Sequence, residues 1–302
     1  MRLIFAGTPA IAAQALEDLN RFHEVALVIT REDSAVGRKK VLTASPVART
    51  ANELGLPVLK TSKVSEVLDR VAEVEADLAI VVAYGALIPK AALELLPWWN
   101  IHYSLLPAWR GATPLQHSMI FNEGIGISIF ELEQGLDTGP IVSNKPMEFL
   151  PHETASEALV RFTREASELL IETLRAMPDA KSQQGEFSLA PKISRSEARV
   201  DFSMGADKLA RRINALNPEP TAWAELEGNP VKLLRAKSLG GVDWQSIDAN
   251  GEPGSLWVDD NRVLLGCGNG TRLELIELQP AGKKPMSAID FMRGQAKPVK
   301  LD

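Results

Sequence analysis

The segment "WNIHYSLLPAWRGATP" (99–114) sets Asn100 and His102 two residues apart at the end of an apolar run, and a proline-stiffened turn follows at once. Alternation along a strand puts both side chains on one face. Further on, "QGLDTGP" (134–140) holds Asp137 between two glycines, in a loop suited to bringing that carboxylate close to another group. A carboxylate beside a histidine orients the imidazole and raises its basicity, while an apolar pocket raises the carboxylate's own pKa toward a value useful for proton transfer. An Asn, a His and an Asp gathered in this way polarise a carbonyl and move a proton. Asp137 has a rival partner in Glu133, with which it would form an acid/base dyad; a glutamate at a strand end is otherwise solvated. His23, His117 and His152 stand in amphipathic or loop contexts that suit surface or capping roles, whereas His102 stands at a strand end.

Such side chains need the end of a sheet to hold them. In the first half, apolar runs at 2–6, 24–30, 57–60, 76–84 and 100–104 alternate with amphipathic stretches over 10–19, 45–54 and 64–74. That is the βαβ pattern of a parallel sheet. Runs apolar on both faces, such as 78–83, belong to central strands covered by helices, and sheets of this class keep their chemistry beyond the carboxyl ends of the strands. "FAGTP" (5–9) puts Gly and Pro directly after the first strand but lacks the G-x-G-x-x-G spacing, so it reads as a tight turn or a close ligand approach without a dinucleotide grip. Two more strands flank the "GLDTG" loop, and a long helix is predicted from about 154 to 177.

The polar stretch 182–200 lacks aliphatic periodicity and reads as a connection. A helix signal, "GADKLARRINALNP", then gives way to short strand-like runs such as "TAWAELEG", "PVKLLRAKSL" and "TRLELIELQP", the pattern of a small antiparallel barrel or sandwich. The expected fold is α/β: a Rossmann-like parallel-sheet N-terminal domain over 1–189, a linker at 190–204, and a smaller C-terminal antiparallel, OB-like β-barrel domain over 205–302.

The chain has 302 residues, enough for two ordinary domains, and its net charge of −6 argues against nucleic-acid binding through a global positive field. The balance is uneven: 16 Lys/Arg face 15 Asp/Glu from Lys192 onward, and 17 face 24 before it. A local basic patch therefore has to do any work on RNA. No apolar run is long enough to span a bilayer, and "MRLIFAGTP" reads as a first strand rather than a signal sequence. The lone cysteine, Cys267, excludes an intrachain disulfide framework and a cysteine-based zinc site, and points to a soluble protein of the reducing cytoplasm.

The ordered set "FAGTP", "AYGALIP" (83–89), "NIHYSLLPAWRGATPLQ", "GLDTG", "ALNPEPTAW" (215–223) and "LQPAGKKPM" resembles the folate-dependent formyltransferases, specifically those acting on aminoacylated tRNA, through nearly the whole chain. The resemblance implies that Asn100, His102 and Asp137 are catalytic, with Asn100 and His102 hydrogen-bonding the formyl oxygen and Asp137 orienting His102 and carrying a proton. It implies that Ser104, Leu105, Leu106 and Pro107, with Tyr84, Gly85 and Leu87, bind the co-substrate 10-formyltetrahydrofolate, and that no metal takes part. It further implies an initiator methionyl-tRNA partner, met by Arg38, Lys39 and Lys40 of the long loop 31–46 and by Lys283 and Lys284 of the barrel, and a monomer. Read without the resemblance, that loop is a solvated charge run. Three positions depart from the family pattern: Glu32 and Ser34, where a proline and a basic residue are usual, and Ile11, where an aromatic is common.

Two rival functions remain. A sugar-nucleotide N-formyltransferase shares the catalytic trio, but the basic loop and "LQPAGKKPM" argue against it. A non-catalytic RNA binder has no use for a carbonyl-activating cluster.

Overall fold

The computed structural model describes residues 1–37, 40–239, 251–296 and 298–302. The chain divides into two compact units: Met1–Pro114, Gly124–Glu148 and Leu159–Ala190 form the first, and Leu115–Glu123, Phe149–Ala158 and Pro191–Asp302 the second.

Strands of the first half are β1 (Arg2–Gly7), β2 (Glu24–Thr30), β3 (Ser34–Val36), β4 (Val41–Thr43), β5 (Val58–Lys60), β6 (Leu78–Val82), β7 (Trp98–His102), β8 (Arg110–Gly111), β9 (Gly126–Glu131) and β10 (Ile141–Pro146). Seven of them make one sheet in the order β10-β9-β7-β6-β1-β2-β5. β5, β2, β1, β6 and β7 pair in parallel, β9 alone runs the other way, and β10, antiparallel to β9, returns to the common direction. β1 goes outward to β2 and β5, then the chain returns to place β6 on its other side, so the direction of winding reverses between β1 and β6. Ligands of such sheets bind in the crevice at that reversal, outside the carboxyl ends. β6 is buried along its whole length, as its two-sided apolar run predicts. Helix α1 (Ala10–Asn20) buries Ala12, Ala13, Ala15, Leu16 and Leu19, and α2 (Pro46–Glu53) starts with Ser45 Oγ accepting the Ala48 N–H at 3.0 Å and proline in its first turn.

The second half gives α7 (Ala206–Ala215), α8 (Ala288–Arg293) and strands β12 (Ala222–Leu226), β13 (Asn229–Ser238), β14 (Ser255–Asp259), β15 (Arg262–Gly266), β16 (Arg272–Pro280), β17 (Met286–Ser287) and β18 (Val299–Lys300); before these come α3 (Leu68–Glu73), α4 (Lys90–Leu93), α5 (Pro114–Phe121), α6 (Ala155–Ala176) and β11 (Leu189–Ala190) in chain order. The second sheet is antiparallel, in the order β12-β13-β16-β15-β14-β18, with β17 on β16. Its two ends meet. Glu225 in β12 and Asp302 exchange backbone hydrogen bonds at 3.0 and 2.9 Å, so the sheet closes into a barrel and has no free edge between those strands. Alternate inward residues such as Val231, Leu233, Val263, Leu265, Leu273 and Leu275 pack with Leu209 and Ile213 of α7 in its core.

Three residues of the stretch read as linker, Ala198, Val200 and Phe202, are buried in that core. The cause is backbone pairing, Val200 N to Trp223 O at 2.8 Å and Trp223 N to Ala198 O at 3.1 Å, which a composition window does not register. No helix among the described residues is long and apolar enough to cross a membrane.

Candidate active site

β7 delivers Asn100 and His102 to the carboxyl end of the sheet, between β6 and β9. His102 is buried, and its Nε2 lies 2.9 Å from the carbonyl of Trp109. A carbonyl only accepts, so Nε2 carries the hydrogen and the neutral ring keeps its lone pair on Nδ1. Nδ1 faces Asp137 Oδ2 at 3.8 Å, beyond hydrogen-bond length. Burial pushes the imidazole below its ordinary pKa, and the Asp137 charge and the Trp109 carbonyl pull partly the other way. His102 therefore rests neutral, with Nδ1 open to a proton. Trp109 takes the Nε2–H, so any hydrogen bond from His102 to a substrate oxygen has to come from Nδ1, once protonated. Asn100 is half-buried, and its amide has no protein partner among the described residues.

Asp137 stands at φ 51°, the left-handed region that Asp tolerates better than most residues, and its Oδ2 accepts the Gly111 N–H at 2.7 Å. Glycine is needed on both sides of that contact. Gly111 has φ 130°, and a Cβ there would lie 2.6 Å from Ala190 O; a Cβ on Gly139 would lie 1.8 Å from Glu131 O. Glu133 does not pair with Asp137; it accepts the Thr138 hydroxyl at 2.5 Å and so braces the same loop.

The turn 104–107 is fixed by Ser128, a residue that no motif in the sequence singles out. Ser128 in β9 donates to Ser104 O at 2.8 Å and accepts the Leu106 N–H at 3.0 Å, while Ser104 Oγ donates to Ala108 O at 2.6 Å. The Leu106–Pro107 bond is cis. At the β1/β6 reversal, Thr8 Oγ1 donates to Tyr84 O at 2.8 Å. The Tyr84 ring is buried, with its hydroxyl on Thr61 O at 2.5 Å, and burial raises that phenol to about 12. The exposed residues of the 83–89 loop are Ala83, Gly85, at φ 77°, and Leu87, which is 83% exposed. A Cβ on Gly85 would meet nothing nearer than the Arg31 side chain at 3.9 Å. An uncovered leucine beside a bare stretch of backbone offers a flat heterocycle an apolar wall and backbone groups together, so these residues fit a pterin.

The stretch 182–190 also builds the site. β11 pairs in parallel with β8, Ser188 Oγ accepts the Trp109 N–H at 2.9 Å, and Ser188 O accepts the Arg110 N–H at 2.9 Å. Nothing in its polar composition announces this; only the fold brings it beside β8.

Of the basic residues, Lys40 is exposed on the β3–β4 hairpin, and Arg38 and Lys39 lie outside the described residues. Val41 and Leu42 on the same hairpin are 59% and 70% exposed. Glu32, an exposed residue, is tied to Ser62, accepting its N–H at 2.9 Å, and Asp33 pairs with Lys60 at 2.6 Å. Lys283 and Lys284 are exposed in the turn between β16 and β17. Ile11, the departure in α1, is partly exposed. His117 stacks on Phe121, with ring centroids 6.2 Å apart. No group of three or more His, Cys, Asp or Glu side chains suited to a metal gathers among the described residues.

A reversal-point sheet with an Asn and a His–Asp pair at its carboxyl end, followed by an antiparallel barrel, is compatible with transfer of a carbonyl group, and the class comes from sequence comparison: the Formyl transferase family model matches residues 1–174 and the Formyl transferase C-terminal domain matches 192–296, so the chain belongs to the formyl transferase family. Within it, the chain is 42% identical to the methionyl-tRNA formyltransferase of Arthrobacter sp. (strain FB24), over 98% of this chain and 97% of that relative. Among solved structures, the methionyl-tRNA formyltransferase from Clostridium thermocellum superposes with a TM-score of 0.57 at 19% identity, covering 80% of this chain and 95% of that one. The N-formyltransferase from Helicobacter canadensis, solved with folinic acid and dTDP-3-aminofucose, gives 0.67 at 14% identity, covering 92% of this chain and 98% of that one. At those identities the structural likenesses establish the fold alone.

Proposed function

We propose that this formyl transferase moves the formyl group of 10-formyltetrahydrofolate to the α-amino group of initiator methionyl-tRNA, with Asn100, His102 and Asp137 carrying the transfer. The observation that carries the reading is the His102 Nδ1–Asp137 Oδ2 approach of 3.8 Å at the end of the strand that also presents Asn100. Identity of 42% to a methionyl-tRNA formyltransferase over nearly the full length supports the acceptor.

When bound, the folate supplies the formyl carbon as an activated amide. Asn100 donates to the formyl oxygen as charge grows there, a contact worth about 3 kcal/mol in comparable sites. Asp137 takes the proton released by the attacking amine and passes it on to His102 Nδ1, which leaves Asp137 ionised again. The imidazolium is held at Nε2 by Trp109, is balanced by the Asp137 carboxylate, and can donate from Nδ1 to the same oxygen. Return of the proton to the departing nitrogen completes the transfer. Attack is direct, with no enzyme nucleophile.

The structure buries Ser104 and Leu106, whose backbone and hydroxyl groups are spent within the turn; in this reading the half-exposed Leu105 and Pro107 that they hold in place meet the folate, together with Gly85 and Leu87, and Tyr84 anchors the 83–89 loop. Arg38, Lys39, Lys40, Lys283 and Lys284 hold the tRNA, and the protein acts as a cytoplasmic monomer with a catalytic first unit and an RNA-binding barrel. The test is formyl incorporation from 10-formyltetrahydrofolate into methionyl-tRNA and, in parallel, into an amino-sugar nucleotide. Product on the tRNA alone is expected; product on the sugar nucleotide alone replaces the reading.

A further inference from the structure

Asp137 is held by more than its own loop. Gln183 Nε2 donates to Asp137 O and to Gly139 O, at 2.8 Å each, so both amide hydrogens grip the backbone of the loop that carries the carboxylate. Gln183 Oε1 accepts both Nε (3.1 Å) and Nη2 (2.7 Å) of Arg110. The orientation of this amide is unambiguous, since a guanidinium only donates and carbonyls only accept. Arg110 is itself seated, its guanidinium 5.0 Å over the Phe187 ring and its backbone paired with Leu189. The next residue, Gly111, supplies the N–H on the Asp137 carboxylate. One dipeptide thus fixes Asp137 twice, through Gly111 on the side chain and through Arg110 and Gln183 on the main chain.

We infer that Gln183 is a positioning residue for Asp137 in the transfer proposed above, clamping the left-handed backbone so that Oδ2 stays aimed at His102 Nδ1. The chemistry of the clamp is specific. It requires two donors and one acceptor on a neutral planar group, because the loop offers only carbonyls and Arg110 offers only N–H groups. Glutamate at 183 keeps the acceptor for Arg110 but sets a charged oxygen against two carbonyls. Methionine keeps the length and removes every polar contact. Both variants leave Asn100, His102 and the pterin wall in place, so binding of either substrate is spared while the proton-handling geometry is lost. Misplacement of a reacting group by about 1 Å can cost on the order of 10²-fold in rate.

The test is steady-state formylation of methionyl-tRNA by wild type, Gln183→Met, Gln183→Glu, Asp137→Asn and the double variant Asp137→Asn/Gln183→Met, with thermal melting of each. For the single Gln183 variants, kcat is expected to fall roughly 10- to 100-fold, with KM for both substrates within about twofold. The double variant should be no slower than Asp137→Asn alone, because Gln183 acts only through Asp137. Multiplying losses in the double variant, or a loss in Gln183→Met confined to Tm or to KM, overturns the inference. If Gln183→Met does not fold, the isosteric Gln183→Glu decides on the same criteria: a wild-type kcat overturns the clamp. A wild type that does not formylate methionyl-tRNA fails the functional reading instead, and is visible before any variant is made.

Discussion

At Asp137 the backbone and the side chain make separate demands, and a substitution can satisfy one while failing the other. Asn at that position tolerates φ 51° and still offers an oxygen to the Gly111 N–H, yet it cannot take a proton. Asp137→Asn is expected to fold with an unchanged melting temperature and to lose about 10²-fold or more in kcat, as removal of a general acid–base commonly does; near-normal turnover would remove Asp137 from the mechanism. His102 gives a second handle. Its folded-state pKa lies below the ordinary 6.5 because it is buried, so the folded protein binds fewer protons than the unfolded chain in acid. Its contribution is complete above the unfolded value and is lost as pH falls from about 6.5 through the lowered folded value. The stability difference between wild type and His102→Gln, measured by denaturant titration, should be flat above about pH 7.5 and move against wild type on acidification; a pH-independent difference would mean that His102 titrates normally. His102, Asn100 and Asp137 are readable in sequence because their types and flanking breakers are unusual. Gln183, Ser128 and Ser188 are not, since each is a common polar residue whose importance comes from a partner far away along the chain.

Among elements, the stretch 182–200 behaves as two pieces. Its first half is strapped to β8 and to the loop after β7, and Lys181 just before it exchanges backbone hydrogen bonds with Ile141 at 2.8 Å in both directions. Its second half, 191–197, is mostly exposed before Ala198 enters the barrel core. Proteases need several residues of extended, released backbone. Within 182–200 the first cleavage by subtilisin, mapped by mass spectrometry, is expected in 191–197; a first cut between 182 and 190 would mean the strap is not held in solution. Helices and central strands are within reach of pattern reading because period and two-sided apolarity are local properties. The β3–β4 hairpin is not, as its short strands sit in a polar loop and carry exposed Val41 and Leu42. Nor is the assignment of Leu115–Glu123 and Phe149–Ala158 to the second unit, which depends on residues far along the chain.

At the scale of the molecule, a chain of net charge −6 that binds RNA has to do so through a few placed cations. Neutralising Arg38, or Lys283 together with Lys284, should weaken methionyl-tRNA binding and lower the magnitude of the salt slope by a little under one unit for each phosphate left without its cation, with folate binding unchanged. Arg38→Ala should cost most, because a guanidinium grips phosphate in two places. Titrations at several salt concentrations decide it; an unchanged slope would return the loop to plain solvated surface. The overall α/β-then-barrel plan is legible from the change of period between the halves, whereas barrel closure through Glu225 and Asp302 is not, because two single residues leave no pattern. The strap has one more consequence, in time rather than space. Every strand of the large sheet has been synthesised by Pro146, yet the amide that grips Asp137 arrives only with Gln183. At ordinary elongation rates the nascent sheet waits a few seconds, at about 5–20 residues per second, for the piece that seats its carboxylate. A fragment ending at residue 174 would thus carry the sheet, the histidine and the aspartate, and still be an unfinished enzyme.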